Sequence, residues 1–372
     1  MFSKSISTKG GDVFRDEKSL AFDGSNDYLD CGNTNDLGTG DFTITAWVKA
    51  ADFDNVYIVS KRKDNDNRYY LRTDQSNPPR LQFYSKISGS AKLEYLGGTS
   101  VNLDNLQNQW VHFAISADRD GNIVGYINGI LDDTDSADTT DLDNTGDFYI
   151  GRFSSTYSDC SISEVAIYNS ALTANQVKTI YNGREPYNHK EGVASGNLQA
   201  WYRMGDGSLD KNSFTSSFLI CDETNATLGN NMVTNGTFDS DSDWTKGTGW
   251  SIGPGGAAAS SIGANELSQD ISAVTGKIYK VSMDLTSLSN GLIFLDISGS
   301  QAFQAAFFAP GASTGYYEAY VKATGSVLRI YSMSFGPINF TGSIDNVKVQ
   351  LVNGNAAIMT NMGAEDIEGD TP

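Results

Sequence analysis

The sequence predicts an all-β protein: two antiparallel β-sandwiches and one short helix near residues 174–181. Gly is abundant (38), Pro is sparse (7), and Tyr and Phe number 18 each, a composition suited to many strands joined by tight turns. Turn dipeptides recur at short intervals between β-rich runs from residue 19 to about 170. A length of 372 residues exceeds what one hydrophobic core usually serves, so two domains are expected.

Residues 1–16 form a polar arm containing Ser and Gly. Such an arm is either a frayed terminus or a segment that orders against a neighbouring subunit. A first domain is expected over residues 17–230. It opens on Phe22-Asp23-Gly24-Ser25-Asn26-Asp27-Tyr28-Leu29-Asp30-Cys31-Gly32, where an Asp-Gly turn meets a strand of alternating burial. Further strands are Phe42-Thr43-Ile44-Thr45-Ala46-Trp47-Val48, Gln109-Trp110-Val111-His112-Phe113-Ala114-Ile115 and Ile162-Ser163-Glu164-Val165-Ala166-Ile167-Tyr168. Turns at Asp120-Gly121-Asn122 and Asn128-Gly129 bracket the strand that ends Gly125-Tyr126-Ile127, a strong hairpin signal. Thr173-Ala174-Asn175-Gln176 has the form of a capping box opening a helix over Ala174–Tyr181, which Asn182-Gly183 would end. After a polar connector, 184–197, the apolar run from Leu198 to Met204 either completes the first sandwich as a permuted strand or is the remnant of another module; completion is preferred. The second domain is expected over 231–352. A Gly/Asn-rich acidic tail over 353–372 is expected to be flexible unless a partner holds it.

With 26 basic against 45 acidic residues the net charge is −19, so nucleic acid and anionic lipid are repelled and neither is an expected partner. Neither a leader-like apolar run at the N-terminus nor a membrane-spanning run is found, and export by the usual secretory route is therefore not expected. Three cysteines, Cys31, Cys160 and Cys221, cannot all pair within the chain. Reduced structural thiols are expected, with one bridge left open. The sequons at Asn225, Asn235 and Asn339 carry little weight without export.

The ordered motifs of the first domain resemble the laminin G-like, concanavalin A-type lectin/glucanase family. That resemblance implies a jelly-roll sandwich used mainly to bind glycans or protein surfaces. In the second domain, Asn231-Met232-Val233-Thr234-Asn235-Gly236-Thr237-Phe238-Asp239, then Trp244 and Trp250, and at the far end Gly342-Ser343-Ile344-Asp345-Asn346-Val347-Lys348-Val349, resemble the bookends of carbohydrate-binding-module jelly rolls related to galactose-binding domains. Strands are expected between them over 267–271, 278–285, 292–297, 316–322 and 328–333. The second resemblance implies a structural Ca²⁺ held by Asp239 and Asp345, whose hard oxygens suit that ion; equally, both could simply accept backbone N–H bonds at the sheet edge. Asp23, Asn26 and Asp27 are oxygen-rich, but the turn alone explains them, and Ser163 stands where the family often has Asp.

Glycoside hydrolysis needs two carboxyl groups flanking the scissile bond, about 5 to 9.5 Å apart. The glucanase-type acidic cluster is missing, and Glu164 sits in a framework strand. His112 lies in a strand and His189 in the connector, neither beside a nucleophile motif or in a zinc-ligand spacing. Enzyme activity is not expected. Sugar recognition by exposed ring faces points to Trp244, Trp250, Tyr157 and Tyr316, in or beside loops, against the competing reading that each packs under its loop. Trp47, Trp110 and Trp201 belong to the core, and the turn from Lys61 to Arg68 is a solvated hairpin tip or a contact loop.

Such module combinations resemble structural proteins of tailed bacteriophages. The expectation is a non-enzymatic virion protein, a capsid decoration or fibre-like component. Its partners would be other virion proteins, with glycans or a host surface as contacts, displayed as a homo-oligomer or array. The alternatives are a bacterial extracellular lectin or adhesin and, further off, a glycoside hydrolase.

Overall fold

The computed structural model describes residues 14–184, 187–207, 219–224, 227–262, 265–291, 293–298, 305–306, 314–331, 339–362 and 364–372. The chain is nearly all β. Among the described residues its one α-helix is Ala174–Tyr181.

Period-two alternation builds the first sandwich from two eight-stranded antiparallel sheets. The back sheet runs in the order Ile130–Ser136, Asn122–Ile127, Trp110–Ala117, Phe42–Lys49, Asp159–Tyr168, Ser19–Asp23, Ile367–Glu368, with Leu198–Tyr202 also paired to Asp159–Tyr168. The front sheet runs Leu219–Ile220, Ala357–Thr360, Tyr28–Asp30, Asp147–Ile150, Tyr57–Arg62, Arg68–Thr73, Leu81–Ile87, Ser90–Leu96. Phe42, Ile44, Ala46 and Val48 of the back sheet meet Leu71, Phe83, Phe148 and Ile150 of the front sheet in one core.

The outer face of the back sheet is closed as well. Thr173 and Gln176 cap each other's backbone in a full capping box, and Asn182 ends the helix at φ 48°. Val177 and Ile180 then pack on Ala114, Tyr126, Ala166, Tyr168 and Trp201, while Tyr181 stacks on Trp47 at 5.5 Å. Cover on both faces explains why Phe42–Lys49 is buried at every position but Lys49.

The second sandwich pairs a sheet of six strands with one of five. Its spine is the long antiparallel pair Ile278–Asn290 and Phe340–Asn353. The strands expected over 267–271, 278–285 and 316–322 are Glu266–Asp270, Ile278–Asn290 and Gly315–Lys322. Those expected over 292–297 and 328–333 are Phe294–Ile297 and Val327–Tyr331, with Leu292, Ser332 and Met333 outside the described residues.

Two expected boundaries are corrected. The tail over 353–372 is not a free acidic extension: Ala357–Thr360 lies between Tyr28–Asp30 and Leu219–Ile220, and Ile367–Glu368 pairs with Ser19–Asp23. Apolar burial drives this, since Ala357, Met359 and Met362 enter the first core. The acidic residues are engaged too. Asp370 is paired with Lys49 and accepts from Trp110 Nε1 at 3.4 Å, and Glu368 accepts from Ser161 Oγ at 3.3 Å. The first sandwich is therefore discontinuous, and the second is inserted between Ile220 and Ala357, with Thr227–Asn231 already paired to Phe340–Asn353. The division 17–230 and 231–352 gives way to this arrangement. Leu219 and Cys221 pack against Ile278 and Val352 where the sandwiches meet.

Of the polar arm, residues 1–13 lie outside the described residues. Its end is held by this same chain: Phe14 packs on Trp201 at 5.8 Å and Asp16 is buried. Cys31, Cys160 and Cys221 are buried, and burial pushes the thiols of Cys31 and Cys160 upward. Among the described residues no helix is long and apolar enough to cross a membrane.

Candidate functional site

Among the described residues the one α-helix packs on the back sheet, and none covers the outer face of the front sheet. Strand alternation sends Tyr69, Leu71 and Thr73 inward, which turns Arg68, Tyr70 and Arg72 outward. Tyr84 stands opposite Tyr70 on the next strand, with its ring stacked at 5.3 Å. A two-stranded hairpin, Arg152–Phe153 with Thr156–Tyr157, folds over this face. Phe153 stacks on Tyr57 at 5.1 Å and meets Tyr70 edge-on at 4.9 Å. Beyond it, Tyr28 contacts Tyr149 at 5.6 Å and Tyr157 at 6.1 Å.

Guanidinium groups are interleaved with these rings. Arg152 lies 4.1 Å from the ring centre of Tyr28, 4.5 Å from Tyr149 and 5.7 Å from Tyr157. Arg72 lies 5.3 Å from Tyr57 and 5.4 Å from Tyr70, and Arg68 lies 5.8 Å from both Tyr84 and Phe153. Cation–π contact of this kind favours the charged side chains without neutralising them.

Neutral groups are what these arginines bond. Arg72 donates to Gln82 Oε1 at 2.7 Å and to Asn55 Oδ1 at 2.5 Å, Arg62 donates to Asn65 Oδ1 at 2.7 Å, and Arg68 donates to the Asn65 carbonyl. Among the described residues none of Arg62, Arg68, Arg72 and Arg152 has a carboxylate oxygen within 4 Å, although the chain holds 45 acidic residues against 26 basic ones. Among the described residues the Arg152 guanidinium donates no hydrogen bond, and its Nε is buried without a partner, as are those of Arg62 and Arg68. Two carboxylates border the layer: Asp147 faces Arg62 across the strands and accepts from Tyr149 OH at 3.5 Å, and Asp30 faces Tyr149. Burial, then Asp147 and Asp30, pushes the Tyr149 hydroxyl up to about 12, and burial raises Tyr57 and Tyr70, so all three remain proton donors at neutral pH.

Of the expected aromatic platforms, Tyr157 belongs to this layer. Tyr316 stands apart on the second sandwich, 60 % exposed, its hydroxyl donating to Glu318 at 2.9 Å. Trp244 and Trp250 are corrected: both are buried in the second core, their Nε1 groups donating to the carbonyls of Asn235 at 3.0 Å and Asn265 at 3.4 Å. An indole with its N–H satisfied by a loop carbonyl packs inward, where its large apolar area is worth most.

Asp239 is exposed and accepts from Thr237 Oγ1 at 2.7 Å, while Asp345 accepts from the Asn346 backbone at 2.7 Å. The carboxylate facing Asp345 across the strands is Asp284, which accepts from Asn346 Nδ2 at 2.7 Å. Among the described residues no group of three or more Asp, Glu, His or Cys side chains is placed to hold an ion.

Glu164 is enclosed. It sits at φ 51° where the pairing of Asp159–Tyr168 with Phe42–Lys49 slips. Its carboxylate accepts from Trp201 Nε1 at 2.5 Å and meets Arg203 Nε at 3.4 Å. Asp16 lies in the same pocket, hydrogen-bonded by Ser163 Oγ at 3.2 Å. His112 and His189 are buried, and desolvation lowers each to about 3, which keeps both neutral.

Residues 23–178, which contain the whole arginine–tyrosine layer, match the family model of the concanavalin A-like lectin/glucanases superfamily. The first sandwich contains a concanavalin A-like domain. Similar solved structures include a heptameric SAP-like pentraxin from Limulus polyphemus (18 % identity, 45 % of this chain and 83 % of that one, TM-score 0.36). A protein of Bacteroides ovatus described as carbohydrate binding is similar at 22 % identity, over 60 % of this chain and 62 % of that one, with TM-score 0.43. Tailspike protein 2 of the Escherichia coli O157:H7 bacteriophage CAB120 is similar at 13 % identity, over 52 % of this chain and 31 % of that one, with TM-score 0.37. No curated protein matches the sequence.

Proposed function

We propose that this chain is a non-enzymatic glycan-binding protein whose contact surface is the arginine–tyrosine layer of its concanavalin A-like domain. The observation that carries this reading is a sheet face, partly roofed by the Arg152–Phe153 and Thr156–Tyr157 hairpin, on which tyrosine rings and unneutralised guanidinium groups alternate. Rings suit the CH-rich faces of sugars, while guanidinium and phenol groups give directional bonds to their oxygens. The layer stands on strands, which fix its geometry more tightly than loops would. A glycan array probed with the whole protein tests it: expected is binding that falls in Tyr84→Ala, and no binding to any glycan overturns it.

The non-enzymatic part is supported by the engagement of Glu164 with Trp201 and Arg203. Saccharide hydrolysis that disappears in Glu164→Gln would overturn it. For the second sandwich we propose kinship with galactose-binding-type jelly rolls and, from the same resemblance, a structural Ca²⁺ at Asp239 and Asp345; calorimetry should show uptake that Asp345→Ala abolishes.

We further propose that the protein works as a virion surface component of a tailed bacteriophage, held by other virion proteins in an array. What supports this is the sequence resemblance of the paired modules alone. An extracellular lectin or adhesin would use the same face. Mass spectrometry of purified virions separates the two, and a missing chain ends the virion reading.

A further inference from the structure

We propose that the ligand of this layer is an acidic saccharide whose carboxylate is gripped by Arg152, an inference that rests on the glycan-binding reading above. Half-buried charge is costly unless it is paired, and a chain with 45 acidic residues has ample means to pair its arginines. Yet Arg62, Arg68, Arg72 and Arg152 gather on one face with neutral partners only. Three tyrosines enclose Arg152, while among the described residues its guanidinium has no hydrogen-bond acceptor and its Nε is buried without a partner. A planar fork held in this way matches a planar carboxylate through two parallel bonds. A neutral glycan would leave Arg152 without a charged partner, whereas a sugar acid supplies one. The net charge of −19 narrows the class further: a densely charged polyanion is repelled by the molecule as a whole, and a glycan with an isolated carboxylate is not.

The test pairs glycans that differ in one charge. Sialyllactose is compared with lactose, and a glucuronic-acid-substituted xylo-oligosaccharide with its methyl ester, by calorimetry on the full chain at low and high salt. Expected is binding to at least one acidic member, weakened by salt, over its neutral counterpart. Arg152→Gln should weaken that binding about tenfold or more, the size expected for losing a hydrogen-bonded charge partner. Arg152→Lys, which keeps the charge and removes the fork, should also weaken it, and near-ultraviolet circular dichroism reports whether each variant is folded. Equal affinity for the acidic and neutral members overturns this inference and leaves glycan binding standing. So does an acid preference unchanged in folded Arg152→Gln. Binding to no glycan on a broad array overturns both readings.

Discussion

Glu164 and Asp16 show how burial sets the chemistry of single residues. Burial outweighs the help of Arg203 and Trp201 and lifts Glu164 to about 7, and burial followed by the neighbouring charges of Glu164 and Asp206 lifts Asp16 to about 9. An unfolded chain gives up these protons near pH 4. Between there and about 9 the folded state therefore binds more protons than the unfolded one, and stability falls as pH rises. The melting temperature should be lower at pH 9 than at pH 6, and Asp16→Asn should flatten that slope; an equal slope in the variant would remove the pair as its cause. Trp244→Ala should cost about 3–5 kcal/mol in denaturant unfolding of the second sandwich while leaving glycan binding intact. Lost binding with unchanged stability would reinstate Trp244 as a contact residue. At this scale the sequence was only partly legible. Tyr157 could be named because it stands beside a loop, but an indole before a loop has the same local pattern whether it turns out or in. The Arg68-x-Tyr70-x-Arg72 alternation is plain in the sequence, but the lack of a carboxylate near these arginines is a property of the fold.

Elements with strong local periodicity were legible in order and type. The helix declared itself through Thr173 and Gln176, and Thr173→Ala should cost about 1 kcal/mol, read as a lower melting temperature of the first sandwich. An unchanged melting temperature would mean that the cap is replaced by another group. The strands of the C-terminal segment are hard to read from sequence because they are short: Ala357–Thr360 spans four residues and Ile367–Glu368 two. Runs of that length carry little periodic signal, and their pairing with residues more than 300 positions earlier is not encoded locally. Met359→Ala tests the docking: loss of a fully buried side chain should destabilise the first sandwich by about 2–5 kcal/mol. A neutral result would show that the segment adds no core.

For the whole molecule, length and composition were enough to expect two strand-built bodies, yet not that one interrupts the other. Insertion means that the chain leaves the front sheet after Ile220 and rejoins it at Ala357, on neighbouring strands. A body attached by one peptide can swivel freely, whereas one hung from two adjacent strands is restrained like a door on a pair of hinges. A single proteolytic nick after Gly354 would accordingly leave the halves travelling together until the fold is melted. Mechanical load entering through Ser19–Asp23 and leaving through Ile367–Glu368, which are themselves bonded side by side, would shear that one seam and spare the inserted body entirely.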